Sequence, residues 1–300
     1  MADLSKWAIL EEFLSCGKYP SSMKGKPGLK SNLRVQAQKF EIVNGVLHVK
    51  RKDGSRLRVV KDEIERNTIL RAVHEGGNSI EAAAAAGHMG RDVMENRILM
   101  SSWWPNIRAD VVKYKQTCAV CQKSDTKFEK ASTSLHPIAV PKKPVEQIGI
   151  DMCSIPPSEE GHVGFILAVD YFTKWPEAAT VKDKGSLTAA QFIYDSIITR
   201  HSCYQVQIND QGRQFVNEVN FHLQRLTGIH QRVTSAYHPQ ANGLVERGNR
   251  TVQQVLLRAL GEHHNQWHRA LNGVLFSMRT SRQASTGIFI FRCHLLSTIT

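Results

Sequence analysis

From residue 145 onward, short apolar runs alternate with longer stretches of helical period, and no other feature narrows the possible folds so far. EQIGIDM, HVGFILAVDYF, YQVQIND and IHQRVT read as strands. SLTAAQFIYDSIITR, NEVNFHLQRLTG, GLVERGNRTVQQVLLRALGE and NQWHRALNGVLFSMRT read as helices. Strands interleaved with helices predict an α/β layered domain. The stretch before it, 122–144, sets Pro137, Pro141 and Pro144 among Lys123, Lys127, Lys130, Lys142 and Lys143, and reads as a linker. Further upstream FEIVNGVLHV and SRLRVV flank a turn at Asp53-Gly54. KDEIERNTILRAVH, RDVMENRILM and NIRADVVKYKQTC then have helical spacing, with an alanine run, Ala82 to Ala86, between the first two. That run is either a helical insert or a floppy one. Residues 1–39 show little periodicity and are expected to form a loosely ordered basic arm.

Three hundred residues exceed the usual size of one domain. Lys and Arg number 39 against 27 Asp and Glu, a formal charge of +12, and such a surplus points to a polyanionic partner, nucleic acid first. Hydrophobic residues at 41% permit a buried core and exclude wholesale disorder. Six scattered cysteines do not make a secreted disulfide scaffold, and the first residues lack a signal-peptide pattern. No apolar run reaches the roughly 18 residues of a membrane span. The expectation is an intracellular, reduced, basic globular protein with no membrane and no small-molecule substrate.

Cys118 and Cys121 form a C-x-x-C. Two thiolates three positions apart can face one tetrahedral ion, and Zn²⁺ then needs two more donors. His74, at the end of the first helix, and His88 fit as nitrogen ligands. One rival reading is a redox pair, but no strand leads into this C-x-x-C as in a thioredoxin-like motif. The other is two structural cysteines beside two unrelated histidines. His263, His264 and His268 form a second cluster that lacks a cysteine or carboxylate motif, and they read as a solvated helix face.

Three carboxylates stand in unusual places. Asp151 interrupts an apolar strand, Asp210 ends another before Gln211-Gly212, and Glu246 lies in the first turn of the long helix. Arg250 and Gln253, at i+4 and i+7, share the helix face of Glu246. The 35 residues between Asp210 and Glu246 single out nothing by themselves, since Asp110 and Glu146 stand equally far apart. Crowded carboxylates repel unless cations neutralise them. A pair of Mg²⁺ or Mn²⁺ ions does so, and serves phosphoryl displacement on a backbone held by basic surroundings.

GHMG at 87–90, WWPNIRADVVKYKQTCAVCQK, IGIDM, FILAVDYFTKW, INDQGRQF, SAYHPQANGLVERGNRT and RTSRQASTG together resemble the integrases of Ty3/Gypsy-type retrotransposons, within the retroviral integrase superfamily. The resemblance implies an RNase H-like mixed-sheet integrase core preceded by a small helical HHCC zinc-binding domain. It assigns Zn²⁺ to His74, His88, Cys118 and Cys121, and Mg²⁺ or Mn²⁺ to a D,D-35-E triad of Asp151, Asp210 and Glu246. Tyr237, Pro239 and Asn242 fall in the family's loop gripping the DNA end, and Arg250 at a basic DNA contact. The implied segments are an arm and β-hairpin at 1–62, the zinc domain at 63–128, a linker at 129–144, the core at 145–262, and a helical extension with a divergent tail at 263–300. The implied activity is DNA 3′-end nicking and strand transfer, by a homo-oligomer acting on DNA in the nucleus, with the cytoplasm as a second location. The departures are Gln253 where a basic residue often stands, Gly248 inside the long helix, and IFIFRCHLLSTIT after Gly287. They favour a domesticated or truncated copy, like the vertebrate KRAB-A-domain-containing relatives. The alternative function is then an inactive, zinc-containing DNA- or chromatin-binding module.

Overall fold

The computed structural model describes residues 2–124, 141–209, 215, 221, 225, 227–233, 243–260, 263–283 and 287–298. They divide into two compact units, one of residues 1–74 and 90–118, the other of residues 75–89 and 119–300.

In the first unit, strands β1 (Phe40–Val43), β2 (Val46–Lys50), β3 (Arg56–Val59) and β4 (Ser102–Trp103) form a sheet in that order. FEIVNGVLHV is a hairpin rather than one strand: Val43 pairs with Val46 across Asn44-Gly45, whose φ values of 51° and 76° suit the tight turn such a pair makes. The stretch expected as a loose arm instead folds into helices Ala2–Cys16 and Pro27–Ala37. Trp7, Leu10, Leu33 and Ala37 provide the reason, because they bury themselves with Phe40, Leu47 and Val59. Trp7 meets Phe40 and Trp103 edge-on at 5.8 and 6.5 Å. The expected helices are present as Glu63–His74, Arg91–Ile98 and Ile107–Thr117. They share a second core of Leu70, Met94, Ile98, Trp104, Ile107 and Val111.

In the second unit, β5 (Gln147–Ser154), β6 (Gly164–Asp170), β7 (Pro176–Val181), β8 (Val206–Asn209) and β9 (His230–Val233) form a sheet ordered β7-β6-β5-β8-β9. The β5–β6 and β6–β7 pairs are antiparallel, while β5–β8 and β8–β9 are parallel. This is the mixed sheet of the expected α/β, RNase H-like core. Every residue of β6 is buried because both faces of the sheet are covered. Phe165, Leu167 and Val169 pack with the long helix Gly243–Leu260 and the helix Trp267–Arg279. Ile166 and Ala168 pack on the other side with Phe192, Ile193 and Ile197. Gly248 owes its place to this packing, since a Cβ there would sit 2.8 Å from Leu167 Cδ2.

The alanine run is ordered, as helix Ile80–Ala86. Ser79 Oγ caps it by accepting from Ala82 N at 3.1 Å, and left-handed Gly87 ends it. Ala84 is wholly buried in the core that the long helix and Trp267–Arg279 share. A Cβ at Gly273 would lie 2.9 Å from Ala84 Cβ, so small residues on both helices let the backbones approach.

Candidate functional site

The histidine and cysteine set converges. One ligand atom from each of His74, His88, Cys118 and Cys121 lies within 4.8 Å of the others. His74 closes helix Glu63–His74, His88 follows the Gly87 stop, Cys118 caps Ile107–Thr117, and Cys121 lies in the short helix Ala119–Ser124. His74, His88 and Cys121 are buried. Cys121 Sγ stands 3.9 Å from His88 Nδ1. In a tetrahedron with bonds of about 2.0–2.3 Å, ligands are roughly 3.3–3.8 Å apart, so the set fits Zn²⁺ after small inward movements. The His74 ring lies edge-on to Tyr114 at 5.7 Å, and Arg258 donates to the His88 carbonyl at 3.2 Å. Burial holds the His88 imidazole below its ordinary value, which favours the neutral ring a metal needs.

Asp151 lies on the face of β5 that looks toward the long helix, with Ile148 and Ile150 facing the opposite core. Its Oδ1 accepts from Met152 N at 2.8 Å, and its Oδ2 from Asn249 Nδ2 at 2.6 Å. Gln253 Nε2, one turn further on, donates to Cys153 Sγ at 2.8 Å. Helix and strand therefore run side by side, Asn249 beside Asp151 and Gln253 beside Cys153. Glu246 is exposed in the helix's first turn, one turn before Asn249. The electrostatic field of Glu246 reaches Tyr171, whose buried phenol is pushed up to about 12 mainly by loss of water. Asn249 is a site residue that the sequence reading passed over. Its signal was the i+3 spacing from Glu246.

Arg250 is exposed and lines a groove of about 610 Å³ with Lys123, Ser154, Gln253, Leu257 and Trp267, among others. Apolar side chains such as Ile155, Leu257 and Trp267 line the groove together with the cations Lys123 and Arg250. Asp210, Tyr237, Pro239 and Asn242 lie outside the described residues. The two carboxylates that share the 35-residue spacing are occupied otherwise. Asp110 accepts the buried Trp104 indole N–H at 2.8 Å, and Glu146 accepts the Lys142 and Lys143 backbone N–H groups at 2.8 and 3.1 Å.

Known proteins resemble parts of this chain. Residues 61–127 match the family described as the integrase zinc binding domain. The chain is 26% identical over 279 residues to the Pro-Pol polyprotein of simian foamy virus type 3 (strain LK3), a match covering 93% of the chain and 22% of the polyprotein. It is 28% identical over 203 residues to the transposon Tf2-3 polyprotein of Schizosaccharomyces pombe, covering 67% of the chain and 15% of that polyprotein. The chain thus spans about a fifth of the length of the curated relatives it matches. Among solved structures, the simian T-cell lymphotropic virus intasome in complex with PP2A regulatory subunit B56 gamma aligns with a TM-score of 0.48 at 16% identity, over 72% of this chain and 74% of that one. The HTLV-2 integrase catalytic core domain in complex with magnesium aligns with a TM-score of 0.44 at 17% identity, over 51% of this chain and 98% of that one.

Proposed function

Taking kinship with the retroviral and retrotransposon integrase family as the premise, we propose that the chain carries a divalent-metal site that cuts DNA near 3′ ends and joins the freed hydroxyl to a second DNA. The observation that carries this reading is the Asn249–Asp151 hydrogen bond. It ties the helix turn beside Glu246 to the strand that bears Asp151. The parallel register supports it too: Gly149, two residues before Asp151, pairs with Ile208, and β8 ends at Asn209, the sequence neighbour of Asp210. Two acids from the strands and one from the helix make an oxygen-rich donor set that fits Mg²⁺ or Mn²⁺. Such ions, when bound, activate the attacking hydroxyl or water and neutralise charge building on the phosphate. Asp151, Asp210 and Glu246 hold them. Asn249 keeps one Asp151 oxygen fixed, leaving the carboxylate no freedom to swing. Arg250 and Lys123 steer and hold phosphate. Tyr237, Pro239 and Asn242 belong to the segment that grips the DNA end.

Zn²⁺ belongs to His74, His88, Cys118 and Cys121 as a structural ion. DNA as partner, self-association, a nuclear location and a Ty3/Gypsy origin are parts of the same proposal. A second reading, a captured binding module without turnover, is favoured by Gln253, which turns an uncharged amide to Cys153 where a DNA-gripping cation would stand. Both are tested by incubating the purified chain with short duplex ends and Mn²⁺. The wild type should nick and join, while Asp151→Asn and Glu246→Gln should lose about 10²-fold or more of the rate. Equal rates for wild type and both variants would remove the catalytic reading. Salt-dependent binding left intact by Glu246→Gln, with no cleavage by any form, would leave the binding module.

A further inference from the structure

The connection between β5 and β6 is fastened to the start of helix Trp267–Arg279 at two points. Glu159 N–H donates to the Asn265 carbonyl at 2.9 Å, and the Trp267 indole donates to the Pro156 carbonyl at 2.9 Å. Next to these, Glu160, His162 and His268 each place one ligand atom within 4.8 Å of the others. The His268 side chain is only 7% exposed, so this part of the expected solvated histidine face is buried. Its Nδ1 has no hydrogen-bond partner among the described residues. Glu160 Oε1 comes to 3.1 Å from His268 Nε2, and that contact holds the exposed Glu160 carboxyl below its ordinary range.

That combination is costly for an empty protein interior. A buried polar group left unmet costs about 1–3 kcal/mol. It is the ordinary arrangement around an ion, because two ligands bonded at about 2.1 Å approach each other to roughly 3.0–3.4 Å without bonding to one another. His162 stacks on His268 at 5.1 Å, and its Nδ1 meets Ser158 Oγ at 3.2 Å, leaving Nε2 as the outward nitrogen. Such a partner on the far ring nitrogen is what orients a metal-binding imidazole. Binding draws the three donors from within 4.8 Å of one another to roughly 3.4 Å.

We propose that Glu160, His162 and His268 bind a second transition-metal ion of the Zn²⁺ class, distinct from the His74, His88, Cys118 and Cys121 set. Two imidazoles and one carboxylate suit Zn²⁺ or Co²⁺ and not the hard Mg²⁺. Water fills the remaining position. The ion clips the β5–β6 connection to the helix that packs under it.

Metal-free full-length chain titrated with Co²⁺ tests this directly. Cysteine-bound Co²⁺ gives an intense thiolate charge-transfer band in the near ultraviolet, and the Glu160–His162–His268 ion gives none. With excess Mg²⁺ present to fill the Asp151, Asp210 and Glu246 site, the wild type should take up one thiolate-free Co²⁺ equivalent, and Glu160→Gln/His162→Asn should lose it, or bind it at least tenfold more weakly. Both substitutions are at or near the surface and spare the buried His268, and circular dichroism matching the wild type checks their fold. A wild type with no thiolate-free equivalent, or a double variant that retains it undiminished, overturns the proposal.

Discussion

Asp151 and Glu177 show how differently two carboxylates in one sheet can be employed. Asp151 is half-buried, its Oδ1 accepting from the Met152 N–H and its Oδ2 from the Asn249 amide one turn after the exposed Glu246. Replacing Asn249 by Ala should leave the fold nearly intact while lowering nicking about tenfold, since one orienting hydrogen bond to a charged group is worth about 1.5–3 kcal/mol at most. Parallel melting curves and cleavage rates would check this. Glu177 is shut in, with the Trp175 indole, Arg200, His201 and Arg279 all donating to it at 2.7–3.1 Å. Burial alone would raise its pKa, but these donors outweigh burial and hold it below the ordinary carboxylate value. A carboxyl lowered in the fold stabilises above its unfolded value of about 4.3, and that contribution disappears as the pH falls through the lowered value. Glu177→Ala should cost about 3–5 kcal/mol near neutral pH and flatten the acid limb of the stability curve, read by denaturant titration at several pH values.

At the scale of elements, the alanine helix Ile80–Ala86 accounts for an awkward stretch of sequence. Its composition makes a helix easily, its Ser79 and Gly87 ends fix the length, and Ala84 lets it sit against Gly273. It also delivers His88 directly after the stop. Ala84→Leu should overpack this crossing and lower stability by about 1–3 kcal/mol, measurable as a shifted denaturation midpoint. The edge strand β7 escaped the sequence reading for a physical reason. It opens at Pro176, a residue that argues against a central strand but is tolerated where a strand begins at a sheet edge. Asn44-Gly45 was legible as a hairpin turn and was hidden only by the apolar run on either side.

For the molecule as a whole, charge and metal set the terms. A +12 chain with a groove lined in part by Lys123 and Arg250 suits a phosphate backbone, and no helix among the described residues is long and apolar enough to cross a membrane. The His/Cys donors come from four separate places in 74–121, so the ion that joins them stabilises every segment between. Chelating zinc, or Cys118→Ser, should therefore lower the melting temperature and the helical signal. A melting curve that ignores both changes would mean a fold independent of the ion.

Local pattern was enough for the alternation of strands and helices, and it singled out His74, His88, Cys118, Cys121, Asp151 and Glu246 as candidates. Each depends on neighbours within a few residues, and periodicity or spacing records such neighbours. Chain-distant encounters were decided only in three dimensions: Asn249 against Asp151, Arg279 against Glu177, an alanine helix beside Gly273, and His268 beside Glu160. These partners are mostly about a hundred residues or more apart. Their meeting is fixed by how helices settle on a twisted sheet, and a single sequence keeps no periodic trace of it.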